Sequence, residues 1–136
     1  MLIFKHKNKL QEYFKIEGRY NTKIGFVPTM GSLHEGHLQL IRESTKICGL
    51  TVCSIFVNPT QFNQKNDFTS YPRDIEKDIK VLRNDTKCDI LYIPEISDLY
   101  EKGEEINQYD FNGLEKLMEG IYRPNHFNGV ATVLEK

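Results

Sequence analysis

The stretch Leu50-Thr51-Val52-Cys53-Ser54-Ile55-Phe56-Val57 constrains the fold more than any other part of the chain. It is almost continuously apolar and β-branched, the pattern of a strand buried on both faces, as strands of parallel sheets are. Before it, His37 to Cys48 carries Leu38, Ile41, Thr45 and Cys48 at helical spacing, with Gly49 after the last turn. Before that helix, Lys23-Ile24-Gly25-Phe26-Val27 reads as a short strand ended by Pro28, since proline cannot donate to a sheet ladder. Strand, helix and buried strand in so short a span make a βαβ unit.

The pattern repeats. After a polar loop over 58–70, Pro72 stands near the start of a helix that runs to about Asn84, with Ile75, Ile79 and Leu82 on one face. Asp89 to Pro94 is a further strand closed by proline. Residues 2–16 read as a first helix, ended by the turn-like Glu17 to Asn21. Ser97 to Tyr100 reads as a short helix, Ile106 to Phe111 as a strand and Leu114 to Gly120 as a helix. Strands joined by helices predict an α/β fold with a Rossmann-like, doubly wound parallel sheet.

At 136 residues the chain suits one domain with a real core. A net charge of -1 gives no basic excess of the kind that marks nucleic-acid binding. No apolar window approaches membrane length, and Met1 to Phe4 precedes its lysines, the wrong order for a signal peptide. Cys48, Cys53 and Cys88 are odd in number and form no CxxC pair. They read as reduced thiols of a cytoplasmic protein without structural disulfides.

Ligands of open α/β sheets lie at the carboxyl ends of the strands. Thr29 to His37 follows the first strand and opens a helix, where amides and the helix dipole favour an anion. Gly31 permits a tight turn, and Gly36 removes a side chain where a nucleotide could lie. His34 and His37 are three apart, so both imidazoles point to one side of a first helical turn. Such a pair can donate hydrogen bonds to phosphate oxygens and stabilise charge that grows in a transition state. An isolated pair also reads as two surface histidines. Zinc is the weaker alternative, because the spacing is not His-Glu-x-x-His and no third ligand is near. No Gly-Lys-Ser/Thr follows, so the loop is not a Walker motif.

The whole segment from Val27 to Leu38 resembles the signature of the nucleotidyltransferase superfamily, and in its wording that of the pantothenate synthetases. Ser54 to Phe62, Tyr71-Pro72-Arg73 and Arg123 to Thr132 resemble the same family in the same order. The resemblance implies an ATP-dependent ligase that joins pantoate to β-alanine through a pantoyl-adenylate, with magnesium on the ATP. It implies an ATP-binding loop at Met30, Gly31, Ser32, Leu33, His34, Glu35, Gly36 and His37, with His37 as proton donor and His34 facing phosphate. Asn58 and Gln61 match residues of the pantoate pocket, with Gln61 also associated with β-alanine. On spacing alone the better reading of the two is a capped turn after Pro59. Arg123 and His126 match contacts near the nucleotide and serve as well as structural loop residues. Tyr71 and Arg73 read as structural, and no dedicated metal site is expected.

The resemblance further implies a homodimer. It also implies that the family's chain continues beyond Lys136 into cationic loops and a smaller domain. These 136 residues are then an incomplete ATP- and pantoate-binding domain, inactive alone. The rival readings are another nucleotidyltransferase of the same superfamily and a non-catalytic nucleotide-binding module.

Overall fold

The computed structural model describes residues 1–16, 22–62, 65–101, 107–117 and 119–136. They pack as two compact units: Met1–Phe56 with Pro72–Asp98, and Val57–Tyr71 with Leu99–Lys136.

The first unit is the parallel sheet. Its elements are β1 (Leu2–Phe4), α1 (Lys7–Ile16), β2 (Ile24–Thr29), α2 (Glu35–Ile47), β3 (Leu50–Ile55), α4 (Ile75–Asp85) and β4 (Ile90–Tyr92). Between β3 and α4 stands α3 (Lys65–Ser70), which belongs to the second unit. The short α5 (Ile96–Leu99) follows β4, close to the predicted Ser97 to Tyr100. The strand order is β1-β4-β3-β2, every pair parallel. All six residues of β3 are buried. Leu50 and Val52 join Ile90 and Tyr92 on one face, packed against Phe4, Leu10, Tyr13 and Phe14. Cys53 and Ile55 join Val27, Ile41, Leu82 and Leu91 on the other. With both faces covered by helices, the sheet is doubly wound, as its near-continuous apolar strand requires.

Two local expectations change. Residues 2–4 form β1 and not the start of a helix: Leu2 to Phe4 pair with Ile90 to Tyr92, a partnership some 88 residues away in sequence. Pro28 lies inside β2, opposite Ser54. That is tolerated because β2 is an edge strand, where a missing N–H breaks no outer ladder.

The second unit contains a 3-10 turn (Pro59–Gln61), α3, a 3-10 turn (Leu114–Lys116), α6 (Glu119–Tyr122) and α7 (His126–Glu135). The segment 107–111 is no strand. The amides of Asn107 and Tyr109 are instead bound by side chains of α7, Thr132 Oγ1 at 3.2 Å and Asn128 Oδ1 at 3.0 Å. Ile106, Met118 and the turn over 17–21 lie outside the described residues. Residues 126–135 are α7, and Asn125 before it has φ -100°, outside the left-handed region.

Candidate active site

All four strands are parallel, so their carboxyl ends share one edge of the sheet, where ligands of such sheets bind. From the end of β2, Thr29 ties the following loop to β3. Its hydroxyl donates to the Ser54 carbonyl at 2.8 Å and accepts the Gly31 N–H at 3.1 Å. Gly31 then has φ +80° and Ser32 φ +51°. Serine in that region costs on the order of 1–3 kcal/mol unless its surroundings hold it there. The holder is Asp78, on α4 and 3% exposed. Its Oδ2 accepts the Ser32 N–H at 2.9 Å and its Oδ1 the Leu33 N–H at 2.8 Å.

His34 caps α2. Its Nδ1 accepts the Gly36 N–H at 3.2 Å, while the Nδ1 of His37 accepts the His34 N–H at 3.4 Å. The two rings lie 4.0 Å apart between centroids. A neutral imidazole that accepts at Nδ1 carries its proton on Nε2. Both histidines therefore keep an Nε2–H to donate. Burial, together with the neighbouring His34, pushes the His37 pKa below its usual value, against an opposing pull from Asp78. The place a side chain at position 36 would take is filled by the His34 ring, 3.0 Å from an added Cβ. The absent side chain at Gly36 thus leaves room for the His34 ring at the cap. Glu35 pairs with Arg42. The amides of Gly31, Ser32, Leu33, His34 and Gly36 all have protein partners, and the two imidazoles add Nε2–H groups as donors at this loop.

The other predicted residues belong to the second unit. Asn58 is 1% exposed and engaged on both ends of its amide. Its Oδ1 accepts from the Thr60 amide, the Thr60 hydroxyl and the Tyr100 hydroxyl, and its Nδ2 donates to the Gly129 carbonyl at 3.0 Å. This is the capped turn that the Pro59 spacing allows. Gln61 ends the turn and is buried, yet its side-chain amide makes no hydrogen bond among the described residues. Its main-chain carbonyl lies 3.4 Å from His126 Nδ1. Arg123 pairs with Asp67 at 2.6 Å and stacks over the Phe62 ring, whose edge contacts include Tyr71. Gly129 lets α7 approach the turn: a Cβ there would come 2.6 Å from the Thr60 carbonyl oxygen.

Asp78 is the residue that the sequence reading missed. Its signal was its place on the apolar stripe of α4, three residues after Ile75 and four before Leu82, where a carboxylate is buried unless the helix rotates. Among the described residues no group of three His, Cys, Asp or Glu side chains could hold a metal ion.

Known proteins resemble this chain along nearly all of its length. A family model described as pantoate-beta-alanine ligase matches residues 2–136. The pantothenate synthetase of Flavobacterium psychrophilum is 44% identical over 136 residues, which is 100% of this chain and 48% of that protein. The crystal structure of pantothenate synthetase from Thermus thermophilus matches with a TM-score of 0.85 at 37% identity, covering 99% of this chain and 47% of that one. The pantoate-beta-alanine ligase of Francisella tularensis, solved in complex with beta-gamma ATP and beta-alanine, gives a TM-score of 0.84 at 36% identity over 99% of this chain and 51% of its own. The chain spans about half the length of the relatives it matches.

Proposed function

The chain belongs to the pantoate–β-alanine ligase family, and on that footing we propose that it forms the ATP- and pantoate-binding half of an enzyme that makes pantothenate. The observation that carries this reading is the stacked His34–His37 pair at the start of α2, with both Nδ1 atoms accepting amides and both Nε2–H groups left to donate.

In this reading ATP lies along Met30 to His37, with magnesium carried on its phosphates as part of the substrate. A carboxylate oxygen of pantoate attacks the α-phosphorus in line, and the bond to the pyrophosphate oxygen breaks. His34 and His37 donate from Nε2 to the phosphate oxygens as charge grows on them, and His37 is the proton donor. The amine of β-alanine then attacks the pantoyl carbonyl. The C–O bond to AMP breaks, and the amine loses its proton. The protein's contribution is positioning and electrostatics, the terms that dominate when no covalent enzyme intermediate is needed. Gln61 is the pantoate contact, supported by a side-chain amide that makes no hydrogen bond among the described residues. Asn58 stands behind it as the brace of the turn. Arg123 and His126 shape the same segment.

The 136 residues alone do not complete the reaction, a reading supported by the relatives' extending about as far again. A homodimer rests on the resemblance. A cytoplasmic setting rests on the three free cysteines, Cys48, Cys53 and Cys88. No helix among the described residues is long and apolar enough to cross a membrane.

The test uses pantoate labelled with 18O in its carboxylate, supplied with ATP and β-alanine to the full-length ligase. One label transferred to AMP supports the adenylate route. Label found only in pantothenate or phosphate, with no AMP formed, contradicts it.

A further inference from the structure

Asp78 is a buried carboxylate that the proposed chemistry does not use. Each of its oxygens takes one loop amide, Ser32 on Oδ2 and Leu33 on Oδ1. The turn it grips has two consecutive positive-φ residues, of which the second, Ser32, is not glycine. The fit is close: a Cβ on Gly31 would sit 3.0 Å from Asp78 Oδ2 and 3.1 Å from Ile55 Cγ2. Directly after Leu33 the chain enters the His34 cap. Asp78 also acts on His37 electrostatically, favouring its protonated form.

We propose that Asp78 is the positioning residue of the nucleotide loop, its two carboxylate oxygens fixing Gly31 to Leu33 so that His34 and His37 meet the phosphates in one frame. The inference rests on reading that loop as the ATP site. A carboxylate is needed because it offers an acceptor on both sides. Asparagine has the same shape but turns an NH2 group toward one of the two amides, which then loses its partner. A loop displacement of about 1 Å is enough to cost on the order of a hundredfold in rate.

In the full-length ligase, Asp78→Asn is expected to lower kcat/KM for ATP by about a hundredfold, leave KM for pantoate within about twofold, and speed hydrogen exchange at Ser32 and Leu33. Ile79→Ala, next on the same helix and packed against the core, is expected to lower the melting temperature with KM for ATP unchanged. An ATP KM and kcat at wild-type values in Asp78→Asn overturn the proposal, as does an equal ATP defect in Ile79→Ala. If Asp78→Asn does not fold, exchange in the wild type decides: protected Ser32 and Leu33 amides support the clamp, and freely exchanging ones overturn it. A wild type without pantoate-dependent ATP chemistry removes the ligase reading. The Asp78 grip is then still judged by those two amides.

Discussion

The imidazoles of His34 and His37 lie 4.0 Å apart, tilted by 36°, and each Nδ1 accepts a main-chain N–H at the start of α2. The pair is both helix cap and donor set. Its capping role and its chemistry are separable, because a cap needs only an acceptor whereas phosphate needs the Nε2–H.

Asparagine is among the best N-cap residues and brings no imidazole. His34→Asn is expected to keep the melting temperature within a few degrees while adenylate formation in the full-length ligase falls about a hundredfold, the usual cost of one transition-state donor. His37→Ala should lose at least as much rate. Pyrophosphate release by His34→Asn at the wild-type rate would leave the ring with a capping role alone.

The pH dependence has a definite sign. The folded His37 titrates below the ordinary 6.5, chiefly from burial and then from His34. The unfolded chain therefore takes the proton more readily. Stability from this group is complete above 6.5 and is lost as pH falls through 6.5 toward the folded value. Protonation of Nδ1 also ends its acceptance of the His34 N–H. Proton NMR should give a His37 midpoint below 6.5, with exchange at the His34 amide rising in step. A midpoint above 6.5 would mean that Asp78 outweighs burial.

Much of this was legible in the sequence because the informative residues are local. The βαβ unit follows from the apolar run Leu50 to Ile55, and the α2 start from His34 to His37. What escaped depends on partners distant in sequence. β1 is only three residues long, and its existence depends on pairing with Ile90 to Tyr92. Asn107 to Phe111 alternates like a strand, yet its amides are claimed by Thr132 and Asn128 of α7. Asp78 sits between Lys77 and Ile79 as one more charge in a helix, and only the approach of the loop some 45 residues earlier reveals its work. The resemblance gives Asn58 and Gln61 one pantoate role, and the hydrogen bonds divide the pair: the Asn58 amide is engaged within the protein and no such bond holds that of Gln61 among the described residues.

That division is testable. Asn58→Ala removes the hydrogen bonds to the Gly129 carbonyl, to the Thr60 amide and hydroxyl and to the Tyr100 hydroxyl. A loss of about 1–3 kcal/mol in chemical denaturation is expected. Gln61→Ala breaks no such bond, so its stability should change by less than about 1 kcal/mol while pantoate affinity falls at least tenfold. Calorimetry that finds ATP affinity collapsing in Gln61→Ala, with pantoate affinity intact, would move Gln61 out of the pantoate site.

Gly129→Ala places a methyl group 2.6 Å from the Thr60 carbonyl oxygen, a backbone atom that cannot swing aside. α7 must move off the turn, at about 1–3 kcal/mol. Thermal melting should fall accordingly, and pantoate binding should weaken with the turn that Asn58 braces. An unchanged melting temperature would show that the turn yields without cost.

The most direct test of the central claim is isotope exchange between pyrophosphate and ATP, catalysed by the full-length ligase with β-alanine left out. Label is expected to enter ATP only when pantoate is present, because pantoyl-adenylate forms reversibly at the Met30 to His37 loop. The 136-residue chain alone should show exchange more than ten-thousandfold slower if two charge contacts, each worth about 3 kcal/mol, come from elsewhere in the ligase. Exchange that needs β-alanine, or proceeds without pantoate, would contradict an acyl-adenylate at this site.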